Sequence, residues 1–248
     1  MRRALLALLA LWVWAAPAAA EPRSVVVSIK PIYGLAAALL DGIAEPVLLL
    51  HGTASPHTYA LRPSERRALE DARVVVWVGP ELESFLTRSL AVLPDRVRVV
   101  GLLAETPGLQ RLPLSEDDDH DDHGHDDHGH GDHGHGDHGH GDHGGADAVD
   151  PHMWLSPANA RAMARYLAEV FVPLGQPERL ARNAAALDGR LAALETALAA
   201  ELAPVGERPF VVFHPAYNYF IAAFGLHQAG TLVLTPEQGA SARHLAEL

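Results

Sequence analysis

The sequence predicts an α/β fold: two α/β lobes with parallel sheets, joined by one long rigid helix, the second lobe incomplete. Three observations carry that expectation. Four runs in the first hundred residues, 24–29 (SVVVSI), 47–50, 74–78 (VVVWV) and 97–100, are apolar throughout instead of alternating. That is the pattern of strands buried on both faces, as in a parallel sheet covered by helices. Residues 178–203 place Leu180, Ala184, Leu187, Leu191, Leu194, Leu198 and Leu202 at helical spacing. Such a helix spans roughly 40 Å, more suited to a spine between lobes than to an internal packing element. After it the strand–helix–strand rhythm resumes, at 210–213, 216–224 and 229–234.

The remaining elements follow in order. Arg2 and Arg3 precede an apolar stretch, 4–16, and the small residues Ala18, Ala19 and Ala20. Residues 1–20 thus read as a secretory signal, cleaved ahead of Glu21, because a stretch of this length falls short of the ~20 apolar residues a spanning helix needs. Pro31 opens a helix through Leu40 that Asp41 and Gly42 stop. Arg62-Pro63-Ser64-Glu65 starts another, with Ser64 placed to cap it, and a third is expected over 81–90. Ser156-Pro157 caps and opens a helix to about Phe171. Ser241 caps a last helix that runs to Leu248 without a stop signal, so the chain reads as truncated inside its second lobe. The expected division is a signal at 1–20, a first α/β lobe at 21–114, a His/Asp-rich loop at 115–150, linker helices at 151–204 and a partial second lobe at 205–248.

Charge is distributed unevenly. The formal net charge is −12, yet residues 115–147 hold twelve acids and no Lys or Arg; the rest has nineteen acids against nineteen Lys plus Arg. A neutral body has no basic stripe to displace counterions from nucleic acid, and nothing to dock on anionic lipid. The chain has no cysteine, which excludes disulfides, thiolate metal sites and a lipidated cysteine after the signal. Export without a lipid anchor points to a periplasm, with no membrane insertion after cleavage.

The loop 115–150 carries ten histidines: His120, His123, His125, His128, His130, His133, His135, His138, His140 and His143. Imidazole suits zinc, copper and nickel, and interleaved carboxylates concentrate divalent cations. Its GDHGH repeat is too polar and Gly-rich to pack a core, so the tract is expected to be an accessory collector and the main site to lie elsewhere. Three histidines outside it stand at matching places. His57 lies in GTASPHTY after the second strand, His152 in DPHMWLSP before a capped helix, and His214 in FHPAYNYF after the strand at 210–213. Ligands of open α/β sheets bind beyond the carboxyl ends of the strands. Three neutral imidazoles with one open position suit tetrahedral zinc. Asp150, two residues before His152, is placed to orient an imidazole. Trp77, Trp154, Tyr217 and Tyr219 are expected to pack the crevice walls, and His51, His227 and His244 fall outside any motif.

The segments VVVSIKPI, GTASPHTYALRPSE, ARVVVWVGPELESFL, DPHMWLSP and FHPAYNYFIAAFGL resemble the zinc-specific substrate-binding proteins of ABC importers, the ZnuA type, from about Val25 to the C-terminus. The resemblance implies a helical-backbone metal receptor, not an enzyme, acting as a monomer that holds Zn2+ in the inter-lobe cleft and serves a membrane permease. Carried over by motif, the metal ligands are His57, His152 and His214, and a histidine at the third position points to zinc over manganese. Pro56 stands where some zinc members have a glutamate. The aspartate that often completes the site falls in a part of the second lobe beyond this chain, and Glu237 is a weak substitute. Two other readings remain: a periplasmic zinc store or chaperone working through the tract, and a zinc hydrolase, although no HExxH helix supplies a general base.

Overall fold

The computed structural model describes residues 25–52, 55–114 and 148–233. Its first sheet has the strand order β2-β1-β3-β4, with β1 Val25–Val27, β2 Val47–Leu48, β3 Val74–Trp77 and β4 Arg98–Gly101. Every pairing is parallel, with Val26 opposite Val47 and Val75, and Val76 opposite Val100. All three β1 valines are buried, as a central strand covered on both faces requires. Helices α1 Lys30–Leu39, α2 Pro63–Glu70, α3 Thr87–Leu90, α4 Leu102–Glu105 and α5 Pro157–Phe171 complete this part, and Ile32, Leu39, Met163, Leu167 and Phe171 are buried in one core with the valines.

The long helix is α6 Pro177–Leu202. Its buried positions are Leu180 and Leu187, both in the first half; Leu194 is about half exposed. The first half packs on α1 and α5, and the second half leads to a two-stranded parallel sheet of β5 Phe210–Val212 and β6 Gln228–Thr231, with α7 Asn218–Phe224 between them. Two polar devices hold the spine. Arg161 of α5 forks onto Asp188 at 2.8 and 2.9 Å, which lowers the Asp188 carboxyl below its ordinary range. Arg179 and Asn183 donate to carbonyls left open at the end of α1: Asn183 to Leu39 and both to Asp41.

Gly42 follows that helix end at φ +65°, and a Cβ placed there would run into the Arg179 guanidinium. Gly42→Ala therefore combines left-handed backbone strain with loss of the Arg179 cap, and is expected to destabilise by about 2 kcal/mol. Urea unfolding of Gly42→Ala beside Arg179→Ala checks this. Equal losses in the two would show that the backbone term contributes nothing.

Several local expectations are corrected. Five of the six strands are shorter by one to three residues, and β4 keeps its length but begins one residue later. Ser64 does not cap α2: the helix begins at Pro63, and the Glu65 carboxylate turns back to accept from Arg62 N–H at 2.7 Å. The helix expected over 81–90 is a 3-10 turn at Ser84–Leu86 followed by α3. The cause is Glu83, whose carboxylate accepts from the Val78 and Gly79 amides and draws the chain into a turn instead. The caps at Ser156, which accepts from Asn159 N–H, and at Pro157 stand as expected.

Candidate metal centre

His57 lies in the loop from β2 to α2. Three contacts shape that loop: Lys30 Nζ donates to the Gly52 carbonyl at 2.9 Å, His57 N–H to Ser55 Oγ at 3.3 Å, and Tyr59 Oη to Glu65 at 2.7 Å. Glu65 thus ties the loop to the start of α2 at both carboxylate oxygens, and its acceptance of the Tyr59 proton raises the Tyr59 phenol above its ordinary range. His214 follows β5 by two residues. Both histidines therefore stand beyond the C-terminal ends of parallel strands, the position from which loops reach a ligand. His152 enters from the side, immediately before the 3-10 turn Met153–Leu155 that leads into α5.

The three side chains converge. One ring nitrogen from each of His57, His152 and His214 lies within 4.8 Å of the others, and the ring centroids are 5.5 to 6.4 Å apart. A tetrahedral ion with bonds of 2.0–2.1 Å holds its ligand nitrogens about 3.3 Å apart, a spacing that lies inside the 4.8 Å bound met by the three imidazoles. His152 is buried, while His57 and His214 are half-buried at the wall of a cavity of about 370 Å³. Ile29, Lys30, Leu50, Trp154 and Tyr217 also line it, and no carboxylate does among the described residues.

Asp150 occupies the role expected of it. Fully buried, it accepts through Oδ1 from both the backbone N–H of His152, at 2.9 Å, and the ring Nδ1, at 2.7 Å. That network puts the proton on Nδ1 and leaves Nε2 as the lone-pair donor toward the cavity. Trp154 stacks edge-on to the His152 ring at 5.4 Å. A second, apolar cavity of about 460 Å³, between the end of α6, β5 and α7, is lined by no His, Asp or Glu among the described residues.

The profile of the ZnuA family, zinc-uptake complex component A, periplasmic, matches residues 25–248. The chain belongs to that family. It is 40% identical over 248 residues to the high-affinity zinc uptake system protein ZnuA of Brucella abortus strain 2308, covering 93% of this chain and 73% of that one. The protein of that name from Yersinia pestis is 34% identical, over 91% and 70% of the two chains. A ZnuA crystal structure superposes with a TM-score of 0.71 at 23% identity, over 92% of this chain and 76% of the other, which supports the two-sheet, long-helix fold of the ZnuA class.

Two of the four aromatic expectations hold and two do not. Trp154 and Tyr217 line the cavity. Trp77 instead packs on the first core beside Gly101, and Tyr219 is buried with its hydroxyl on the backbone of another segment. Tyr59, Glu65 and Lys30 were not singled out from sequence, although an ionisable pair six residues apart flanking a candidate ligand is a usable signal. The tract histidines, Glu237, Ser241 and His244 lie outside the described residues.

Proposed function

We propose that this chain captures Zn2+ with His57, His152 and His214 and delivers it to the membrane permease of a zinc ABC importer. The observation that carries the reading is the convergence of three imidazole nitrogens on one cavity wall, one of them oriented by a buried carboxylate. Neutral nitrogen donors without sulfur or a carboxylate favour zinc over manganese or magnesium. In this reading residues 1–20 direct export to the periplasm, the mature chain acts as a monomer, 21–114 and 205–248 are the two lobes, and 151–204 join them. The tract at 115–150 collects ions at low affinity through its ten histidines. In this reading the protein is a receptor, which fits relatives named as uptake proteins.

The test is a zinc competition titration against a calibrated chelator on the full chain, a deletion of 115–149, and a His57→Ala/His214→Ala double variant. The deletion should retain one tight zinc and the double variant should lose it. The reverse outcome, tight binding abolished by the deletion, would establish the second reading, a metal store working through the tract.

A further inference from the structure

Tyr219 sits on α7 and is 1% exposed. Its hydroxyl accepts from the Leu112 N–H at 3.0 Å and donates to the Asp150 carbonyl at 2.9 Å. Leu112 and Asp150 face each other across a short antiparallel bridge centred on Pro113 and Val149, where the Asp150 N–H donates to the Leu112 carbonyl at 2.9 Å and the Leu114 N–H to Ala148 at 2.8 Å. In a regular ladder two residues so placed exchange both N–H···O bonds. Here the second bond is interrupted. The tyrosine hydroxyl stands between its donor and its acceptor and satisfies each of them.

The residue it holds open is the one that orients the buried imidazole. Asp150 grips His152 twice through Oδ1, so a displacement of the Asp150 backbone is transmitted to the His152 ring. Tyr219 also belongs to the segment that carries His214, five residues earlier. One strand–helix unit, β5 to α7, thus supplies one candidate ligand directly and the support of another through a hydroxyl.

We propose that Tyr219 is a positioning residue for metal capture: its hydroxyl fixes the spacing of Asp150 from Leu112 and so registers His152 against His214. The proposal rests on the zinc reading above. Removing the hydroxyl leaves the Leu112 N–H and the Asp150 carbonyl facing each other, free to pair directly. Asp150 is then drawn toward Leu112, and His152 moves with it. The phenyl ring of Tyr219→Phe still fills the same core space, so the change acts on geometry more than on packing.

The experiment compares wild type, Tyr219→Phe, Asp150→Asn and the double variant of the full chain. Zinc affinity is measured by chelator competition, site geometry by the visible spectrum of the Co2+ form, and zinc-free stability by thermal unfolding. Tyr219→Phe is expected to weaken zinc about 10-fold, the lower end for partners that orient ligands, and to alter the Co2+ spectrum. Added to Asp150→Asn it should weaken zinc little further, because both act through the same carboxylate. Wild-type affinity and an unchanged Co2+ spectrum in Tyr219→Phe, with only a lower melting temperature, would overturn the proposal, as would fully multiplicative losses in the double variant. If Tyr219→Phe does not fold, hydrogen exchange at the Leu112 amide of the unaltered chain decides: slower exchange with zinc supports the proposal, unchanged exchange overturns it. Absence of tight zinc binding in wild type is a separate outcome and removes the functional reading itself.

Discussion

Alanine at His57 or at His214 is expected to lower zinc affinity by about 10²–10³-fold while leaving the zinc-free fold intact. Four-ligand zinc sites bind with roughly 10–16 kcal/mol, or about 3–4 kcal/mol per ligand, which is that factor in Kd. Both side chains are half-buried on loops, so truncation removes little packing. His152→Ala should behave differently. It empties a buried position and leaves the fully buried Asp150 without the ring Nδ1 that it binds at 2.7 Å. A buried carboxylate that loses one hydrogen bond and keeps only the backbone N–H of residue 152 is destabilised by about 1–3 kcal/mol, so this variant should lose zinc and melt lower without metal. Chelator competition and zinc-free melting curves on the three variants give the pattern. Equal melting temperatures for all three would mean that Asp150 does not depend on His152. Retention of tight zinc by His57→Ala or His214→Ala would remove that residue from the metal centre.

That contrast shows which layers of the molecule were legible in the residues. The buried sheet was readable because its strands are runs of valine, whose β-branched side chains suit a doubly covered sheet and leave no polar face to misread. The long helix was readable from a leucine stripe, although Leu194 shows that the stripe continues after burial has ended. The placement of His57 and His214 was readable because each follows a parallel strand of its own sheet, where loops reach a ligand; how the two sheets face each other was not. Asp150 was within reach for a local reason: it is two residues from the imidazole it holds.

What was not readable is long-range or competitive. Tyr219 meets Leu112 and Asp150 across 107 and 69 residues, and nothing in a local pattern says where a hydroxyl will find a backbone pair. Lys30 reaches Gly52 across 22 residues. The segment after β3 has helical periodicity, but Glu83 offers its carboxylate to the amides of Val78 and Gly79. A side chain competing for the backbone outweighs a weak helical signal.

Glu83 is also the source of a large expected stability effect. It is fully buried; its Oε2 accepts from Val78 and Gly79, while Oε1 and the nearby Ser28 Oγ are buried without a well-formed hydrogen bond. A proton on Oε1 resolves both, since the acid can donate to the serine. Burial raises the Glu83 carboxyl to about 7, against the two amide hydrogen bonds and the Ser28 contact, which pull it down, and with a smaller upward push from Glu81. The folded chain therefore holds a proton that the unfolded chain, titrating near 4.5, has already released. Between those values the native state binds more protons, so stability from this group is full below about 4.5 and is lost as pH rises through 7. The gap corresponds to at most about 3 kcal/mol. Glu83→Gln copies the protonated acid, keeping an oxygen for the two amides and a donor for Ser28. Relative to wild type it should be nearly neutral in urea unfolding at pH 4.5 and more stable by up to about 3 kcal/mol at pH 8. Titrating histidines common to both proteins cancel in that difference. A constant difference across the range would mean that Glu83 titrates in the folded chain as it does in the unfolded one, with the Val78 and Gly79 amides offsetting its burial.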